Sequence, residues 1–298
     1  MIIILGIFVF ILGLCFGSFI NMLEYRLAKK YGLIKFKFSD FFKKRSKDED
    51  VCMCETNRSF CDGCGRQLKG YENIPVLSWV IQGGRTRCCH KKLPISYPIV
   101  ELLTGILFLA FFWMKVFPNL DNGFILEIPG MDMVALRMGL GLLMYLIIIV
   151  CLIFSAFFDL KHMILPDKST IVFVVCGLFL LVLSAMDNSL WSPVWQNIIT
   201  ALIASGFLGS LYLITRGKGM GLGDVKFALF MGLFLGWQKT IIAFYVAFIV
   251  GAIVGVGLIL GKKANRTSLI PFGPFLILGT FVAWWGGAYI LDLIQKWF

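Results

Sequence analysis

Two carboxylates sit where an ionised group is expensive. Asp159 closes the apolar run Leu140 to Phe158, and Asp224 stands just ahead of the run from Phe227, inside Gly219-Met220-Gly221-Leu222-Gly223-Asp224-Val225-Lys226. An acid at mid-membrane costs about 2.5–3.5 kcal/mol on insertion scales, so acids beside apolar spans face protein or water and take partners. Two that met would share a proton, because like charges a few ångströms apart do not both ionise easily, and they would titrate as a pair. The ionised member of such a pair takes a proton from water while the protonated member polarises a carbonyl. Gly217, Gly219, Gly221 and Gly223 let the backbone pass close to Asp224 or to an extended substrate strand. By position alone, each acid also reads as an interfacial flank or a helix cap.

The second chemistry-bearing group is thiol. Cys61-Asp62-Gly63-Cys64 is a CxxC knuckle, Cys88-Cys89-His90 follows about 25 residues on, and Cys52 and Cys54 lie upstream. In a reducing compartment, paired thiolates in a short loop-rich segment favour a structural zinc, which supplies folding energy that so small a piece cannot draw from a core. Adjacent Cys88 and Cys89 are expected to point in different directions and so not both to bind one metal. The fourth ligand stays open among Cys88, His90, Cys54 and Cys52, and a redox pair or unmetallated thiols are the alternatives.

The elements that must position these groups are membrane helices. The chain has 298 residues, 59% hydrophobic and 15% charged, with 29 Phe and a mean hydropathy of +0.86, far from a soluble globular domain. Apolar windows of about 20 residues cross a bilayer as helix. Spans are expected near Ile2–Leu23, Ile99–Val116, Val134–Phe158, Thr170–Ala185, Ile198–Thr215, Phe227–Leu235, Ile241–Leu260 and Phe275–Ile294. The sixth is short, interrupted by Gly232 and flanked by Gly236, and begins inside the GLGD segment; joined to the seventh as one bent pair it would leave seven spans. The fold class is therefore an all-α polytopic membrane protein with about eight transmembrane helices and a cysteine-containing insert between the first and second. Three regions follow: a first helix over 1–23, an insert over 24–97, and a membrane core over 98–298.

Basic residues prefer cytoplasmic connections. Of the 28 Lys and Arg, sixteen lie between Glu24 and Tyr97, whereas Pro118 to Asp132 carries only acids and Asp187 to Trp195 has no base. This predicts a cytoplasmic insert and an N-terminus outside. The net charge of +11 then reflects topology and attraction to the lipid bilayer, with no call for nucleic acid. The first apolar run lacks a basic start and a small-residue cleavage site before Glu24, and reads as a retained span.

Other polar residues have plainer readings. Asn21 and Glu24 sit near the inner end of the first span, and Ala28 to Asp50 shows no period. Asp167, after Pro166, is placed to cap the fourth span, Lys226 to snorkel, and His162 to be solvated.

The blocks together resemble the bacterial type IV prepilin peptidases, also called prepilin leader peptidases, of the GxGD intramembrane aspartic protease class. The resemblance runs over nearly the whole chain. It rests on Gly17-Ser18-Phe19-Ile20-Asn21, on the CDGC knuckle, on Ile74-Pro75-Val76-Leu77-Ser78-Trp79, on Tyr97-Pro98-Ile99-Val100-Glu101, on Phe158-Asp159-Leu160 running to Leu165-Pro166-Asp167, on the GMGLGDVK segment, and on Ile270-Pro271-Phe272-Gly273-Pro274-Phe275.

The resemblance implies Asp159 and Asp224 as the catalytic pair and Cys61, Cys64 and Cys89 as zinc ligands. One departure is that the family's second CxxC would place Cys at 86 and 89, where this chain has Thr86 and Cys89; Cys88 is the nearest replacement. It further implies removal of the basic leader of prepilins or pseudopilins at the cytoplasmic face of the bacterial inner membrane. N-methylation of the new terminus with S-adenosylmethionine is implied as well, although no nucleotide-binding fingerprint stands out. Glu101, an acid at the start of the second span, is expected either to serve helix packing or the interface, or to contact the leader or steady the insert. The competing classes are a proton-coupled transporter using the Asp pair and a zinc-organised scaffold, and nothing in the sequence sets an oligomeric state.

Overall fold

The structure, a computed structural model, describes residues 2–32, 59, 61, 64, 66–117, 133–188, 192–217, 220–262 and 270–297. Cys52, Cys54, Gly219, Lys218, the loop 118–132 and most of the expected aperiodic stretch 28–50 lie outside the described residues. Among those described there are nine α-helices and no extended strand: α1 Ile2–Lys30, α2 Leu77–Ile81, α3 Ser96–Phe111, α4 Met133–His162, α5 Asp167–Asn188, α6 Ser192–Ile214, α7 Leu222–Leu235, α8 Trp237–Leu260 and α9 Gly273–Trp297. Seven of them are long and apolar enough to cross a membrane. Large side chains such as Ile4, Ile203, Leu213 and Ile253 are exposed along them, which suits lipid and not water. This is a multi-pass membrane protein.

The chain divides into two compact units, Met1–Ile125 and Leu126–Phe298. In the first, α1 and α3 approach through small residues. A Cβ added at Gly17 would lie 2.5 Å from the Cα of Glu101, and one at Gly13 2.8 Å from the Cα of Gly105. Such spacing lets backbones close together where lipid offers no hydrophobic drive between helices. At about 1.5 Å per residue α1 is about 43 Å long, more than the about 30 Å of a hydrocarbon core, so it carries Glu24 and Arg26 past the expected end at Leu23. A 3-10 turn at Gly70–Asn73, α2, and an antiparallel bridge between Arg85 and Lys92 help build the described part of the insert.

Buried Glu101 steadies that insert. Its Oε2 accepts the N–H of Val76 at 2.7 Å, while the Ser18 and Asn21 side chains also bond to it. Val76 has φ 60°, an uncommon conformation for a β-branched residue, and it opens α2. Among the roles expected for Glu101, its hydrogen bond to Val76 fits steadying the insert, and its backbone at Gly17 fits helix packing.

In the second unit α7 is the centre. Its 14 residues span about 21 Å, too short to cross alone. It is walled in by α5 and α6: Phe173 stacks on Phe230 at 4.8 Å, and a Cβ at Gly232 would fall 2.3 Å from the Cα of Ala201. Asn197 Nδ2 donates to the Leu233 carbonyl at 3.2 Å, and Gly236, at φ 72°, turns the chain directly into α8. Helices α8 and α9 meet at Gly279, where a Cβ would lie 2.2 Å from the Ala243 carbonyl oxygen. Tyr145 of α4 stacks on Trp284 of α9 at 5.4 Å.

Candidate active site

Helix ends bring the two acids together. Asp159 lies in the last turn of α4, which stops when Met163, at φ 55°, donates its N–H to the Asp159 carbonyl. Leu165 and Pro166 follow, and α5 begins. Asp224 occupies the third position of α7, where its Oδ2 accepts the N–H of Gly221 at 3.2 Å; a carboxylate here satisfies one of the orphan amides of a helix start. Asp159 is 5% exposed and Asp224 6%. Their charges are within electrostatic reach, and both line one cleft of about 360 Å³ with Leu165, Gly221, Met220 and Phe272.

Two glycines make the approach possible. A Cβ on Gly223 would sit 2.7 Å from the Cβ of Leu165, so only a hydrogen there lets α7 start against the loop that follows α4. A Cβ on Gly273 would sit 2.5 Å from Asp159 Oδ2. The Gly273 amide instead donates to that carboxylate. Each acid is thus held by the free amide of a helix start, Asp224 by its own helix and Asp159 by α9. The partner Gly273 was missed in the sequence, though a glycine between Pro271 and Pro274 at the mouth of an apolar run marks a helix start with an unspent amide.

Neighbouring expectations need correction. Asp167 is the first residue of α5 and not its cap, and its carboxylate pairs with Lys226 Nζ, so Lys226 ties α7 to α5 where free snorkelling was expected. The His162 ring packs on Phe158 at 4.7 Å and is half-buried, not freely solvated. Gly217 takes φ 73°, as a glycine can, between α6 and α7.

The thiols converge in the first unit. The sulfurs of Cys61, Cys64, Cys88 and Cys89 all lie within 4.8 Å of one another, with Cys61 and Cys89 at 3.6 Å and Cys64 and Cys88 at 3.2 Å. A tetrahedron of thiolates about 2.3 Å from zinc has sulfur separations of about 3.8 Å, so the donor set fits that ion in number, type and spacing. The expectation that Cys88 and Cys89 diverge is overturned: they lie in a turn, closed by His90 at φ 53°, and not in an extended strand, where successive side chains alternate. His90 is exposed and outside the cluster.

Thr86, standing where the second CxxC would start, is buried and organises the turn. Its hydroxyl lies 3.2 Å from Cys89 Sγ and accepts the Lys91 N–H at 3.0 Å, while its carbonyl accepts the His90 N–H. The Thr86 hydroxyl holds the Cys89 thiol down to about 7, whereas burial, aided by Cys64 and Cys61, pushes Cys88 up to about 12. A bound dication would reverse the Cys88 preference by stabilising its thiolate.

Comparison with known proteins gives the family. A profile described as the bacterial peptidase A24 N-terminal domain matches residues 11–115, and one described as the type IV leader peptidase family matches residues 146–256, which include both acids. A protein of Aeromonas salmonicida (strain A449) is 31% identical over 97% of this chain and 92% of its own length. A Legionella pneumophila protein is 30% identical over 96% and 93%. Each is named prepilin leader peptidase/N-methyltransferase. No solved structure is significantly similar to the chain. With relatives of that identity matched over nearly their full length, the chain belongs to the type IV leader peptidase family, a family of membrane peptidases.

Proposed function

We propose that the chain removes the leader of prepilins or pseudopilins by aspartyl chemistry at Asp159 and Asp224, on the cytoplasmic side of the bacterial inner membrane with the N-terminus outside. The observation that carries this reading is the single cleft lined by both buried carboxyls. One proton shared between them leaves one member ionised. The ionised carboxylate takes a proton from water as the water oxygen bonds to the scissile carbonyl carbon, and the protonated member donates to the carbonyl oxygen. The carbon–nitrogen bond then breaks, and a carboxyl proton goes to the leaving amine. Gly221 and Gly273 orient the two acids by their amides.

In the first unit, Cys61, Cys64, Cys88 and Cys89 would hold a structural zinc that fixes the turn around Thr86. N-methylation of the new terminus is the second activity in this reading, drawn from the names of the relatives. Its methyl donor, S-adenosylmethionine, supplies an electrophilic methyl carbon when bound. A proton-coupled transporter would string its acids along a path through the bundle, which one shared cleft does not favour.

Asp159→Asn and Asp224→Asn are each expected to abolish cleavage of a co-expressed prepilin while the protein still accumulates folded in the membrane. Full cleavage by either variant would reject the pair.

A further inference from the structure

The short helix α2 divides its side chains between two faces. Ser78, Trp79 and, just past its end, Gln82 line a cavity within the first unit, and the Trp79 ring packs on Gly84, where a Cβ would lie 3.0 Å from it. Ile74, Leu77, Val80 and Ile81 follow one another at the spacing of a single helix face and turn the other way, 44, 57, 61 and 67% exposed. Four large apolar side chains so exposed on one side of a five-residue helix mark a contact surface.

The depth of α2 follows from a hydrogen bond. The Glu101 carboxylate that accepts the Val76 N–H is also bonded by the side chains of Ser18 and Asn21 in α1. Those residues precede Leu23, where the apolar run of α1 ends, by five and two positions, which is about 8 and 3 Å along the helix. The start of α2 is therefore held about 3–8 Å inside that end. An amphipathic helix lying in a membrane interface sinks its apolar face about 5–10 Å into the boundary of headgroups and acyl chains. At the same level α3 shows lipid an equally open apolar face, with Ile99 and Ile106 53 and 55% exposed.

Charge around the face agrees with lipid. Residues 66–95 hold six bases and one acid, Glu72, which is buried and pairs with Arg66 at 3.6 Å. Arg87 and Lys69 lie over the Tyr71 ring at 5.4 and 6.0 Å, and Tyr71 is half exposed. Amphipathic rings sit at headgroup level, and Lys and Arg beside them meet anionic lipid. The same bases repel the basic leader of the proposed substrate, so charge favours lipid over substrate here.

We propose that α2 is an interfacial anchor. Ile74, Leu77, Val80 and Ile81 enter the leaflet bordering the insert, the flanking bases rest on anionic headgroups, and the cysteine turn is thereby held at the membrane surface.

The test reconstitutes the purified full chain in phosphatidylethanolamine vesicles containing phosphatidylglycerol and a lipid with a photoactivatable diazirine in its acyl chain, and maps labelled residues by mass spectrometry. Label is expected on 74–81 as well as on 99–106 of α3. Label on 99–106 with none on 74–81 would overturn the proposal. Val80→Asp combined with Ile81→Asp puts two acids on the outer face, away from the cavity. Label on 74–77 is expected to fall about tenfold, with 99–106 and the melting temperature unchanged, and undiminished label would overturn the anchor. Should that variant unfold, a chain with Ile81 replaced by p-benzoylphenylalanine decides: a lipid adduct supports the anchor, whereas a crosslink to a second copy or to a co-reconstituted prepilin in its place overturns it. Vesicles without phosphatidylglycerol are expected to give several-fold less label on 74–81, and equal label would overturn the part assigned to the bases.

Discussion

Gly273→Ala separates the geometry of the Asp159 carboxyl from the stability of the fold. The new Cβ would meet Asp159 Oδ2 at 2.5 Å, and reaching ordinary contact at 3.4 Å displaces that oxygen by about 0.9 Å. The oxygen ends a side chain with two rotatable bonds, so the fold yields cheaply. The melting temperature should therefore stay within a few degrees of wild type. Catalysis should not be spared, because a misplacement of about 1 Å costs about 10²-fold, equivalent to about 2.7 kcal/mol of barrier. The assay is the initial rate of prepilin cleavage by purified protein, with Gly257→Ala as control, since a Cβ at Gly257 meets nothing within 4 Å. A Gly273→Ala rate within threefold of wild type would refute the claim that this amide and its missing side chain set the position of Asp159.

Two further outcomes probe other parts of the molecule. Gly232→Ala drives a Cβ to 2.3 Å from the Ala201 backbone, which cannot rotate away; a loss of about 1–3 kcal/mol is expected from overpacking, read as a lowered unfolding midpoint in detergent, and an unchanged midpoint would deny that α6 and α7 pack this closely. Cys88→Ser should cut zinc per chain, measured by elemental analysis of purified protein, whereas Cys52→Ser and Cys54→Ser should leave it unchanged; full zinc in Cys88→Ser would remove Cys88 from the ligand set.

The existence and order of the membrane helices could be read directly, because lipid demands about 20 apolar residues for each crossing and the chain supplies them in separated runs, but most helices extend several residues past the expected ends. The same rule located both acids at run ends. It had nothing to say about α7 beyond its shortness, since its partners Phe173, Ala201 and Asn197 come from two other helices. Contacts distant in sequence leave no periodic trace. The Cys88–Cys89 misreading has the same origin: adjacency implies divergence only in extended backbone, and the turn that overrides it is organised by Thr86, a residue visible in the sequence only as a missing cysteine.

Both acids, finally, explain why two helices, α7 and α9, start at one cleft of the second unit. In the middle of a helix every amide is already committed to the carbonyl four residues before it, so only helix starts have N–H groups to spend on a carboxylate. Fixing two acids by backbone therefore requires two helix starts at one cleft, and Gly221 and Gly273 supply them. The glycine-rich entry of α7 follows from that demand, while its 14 residues, ended by the turn at Gly236, are enclosed by the aromatic and glycine contacts that α5 and α6 press against it.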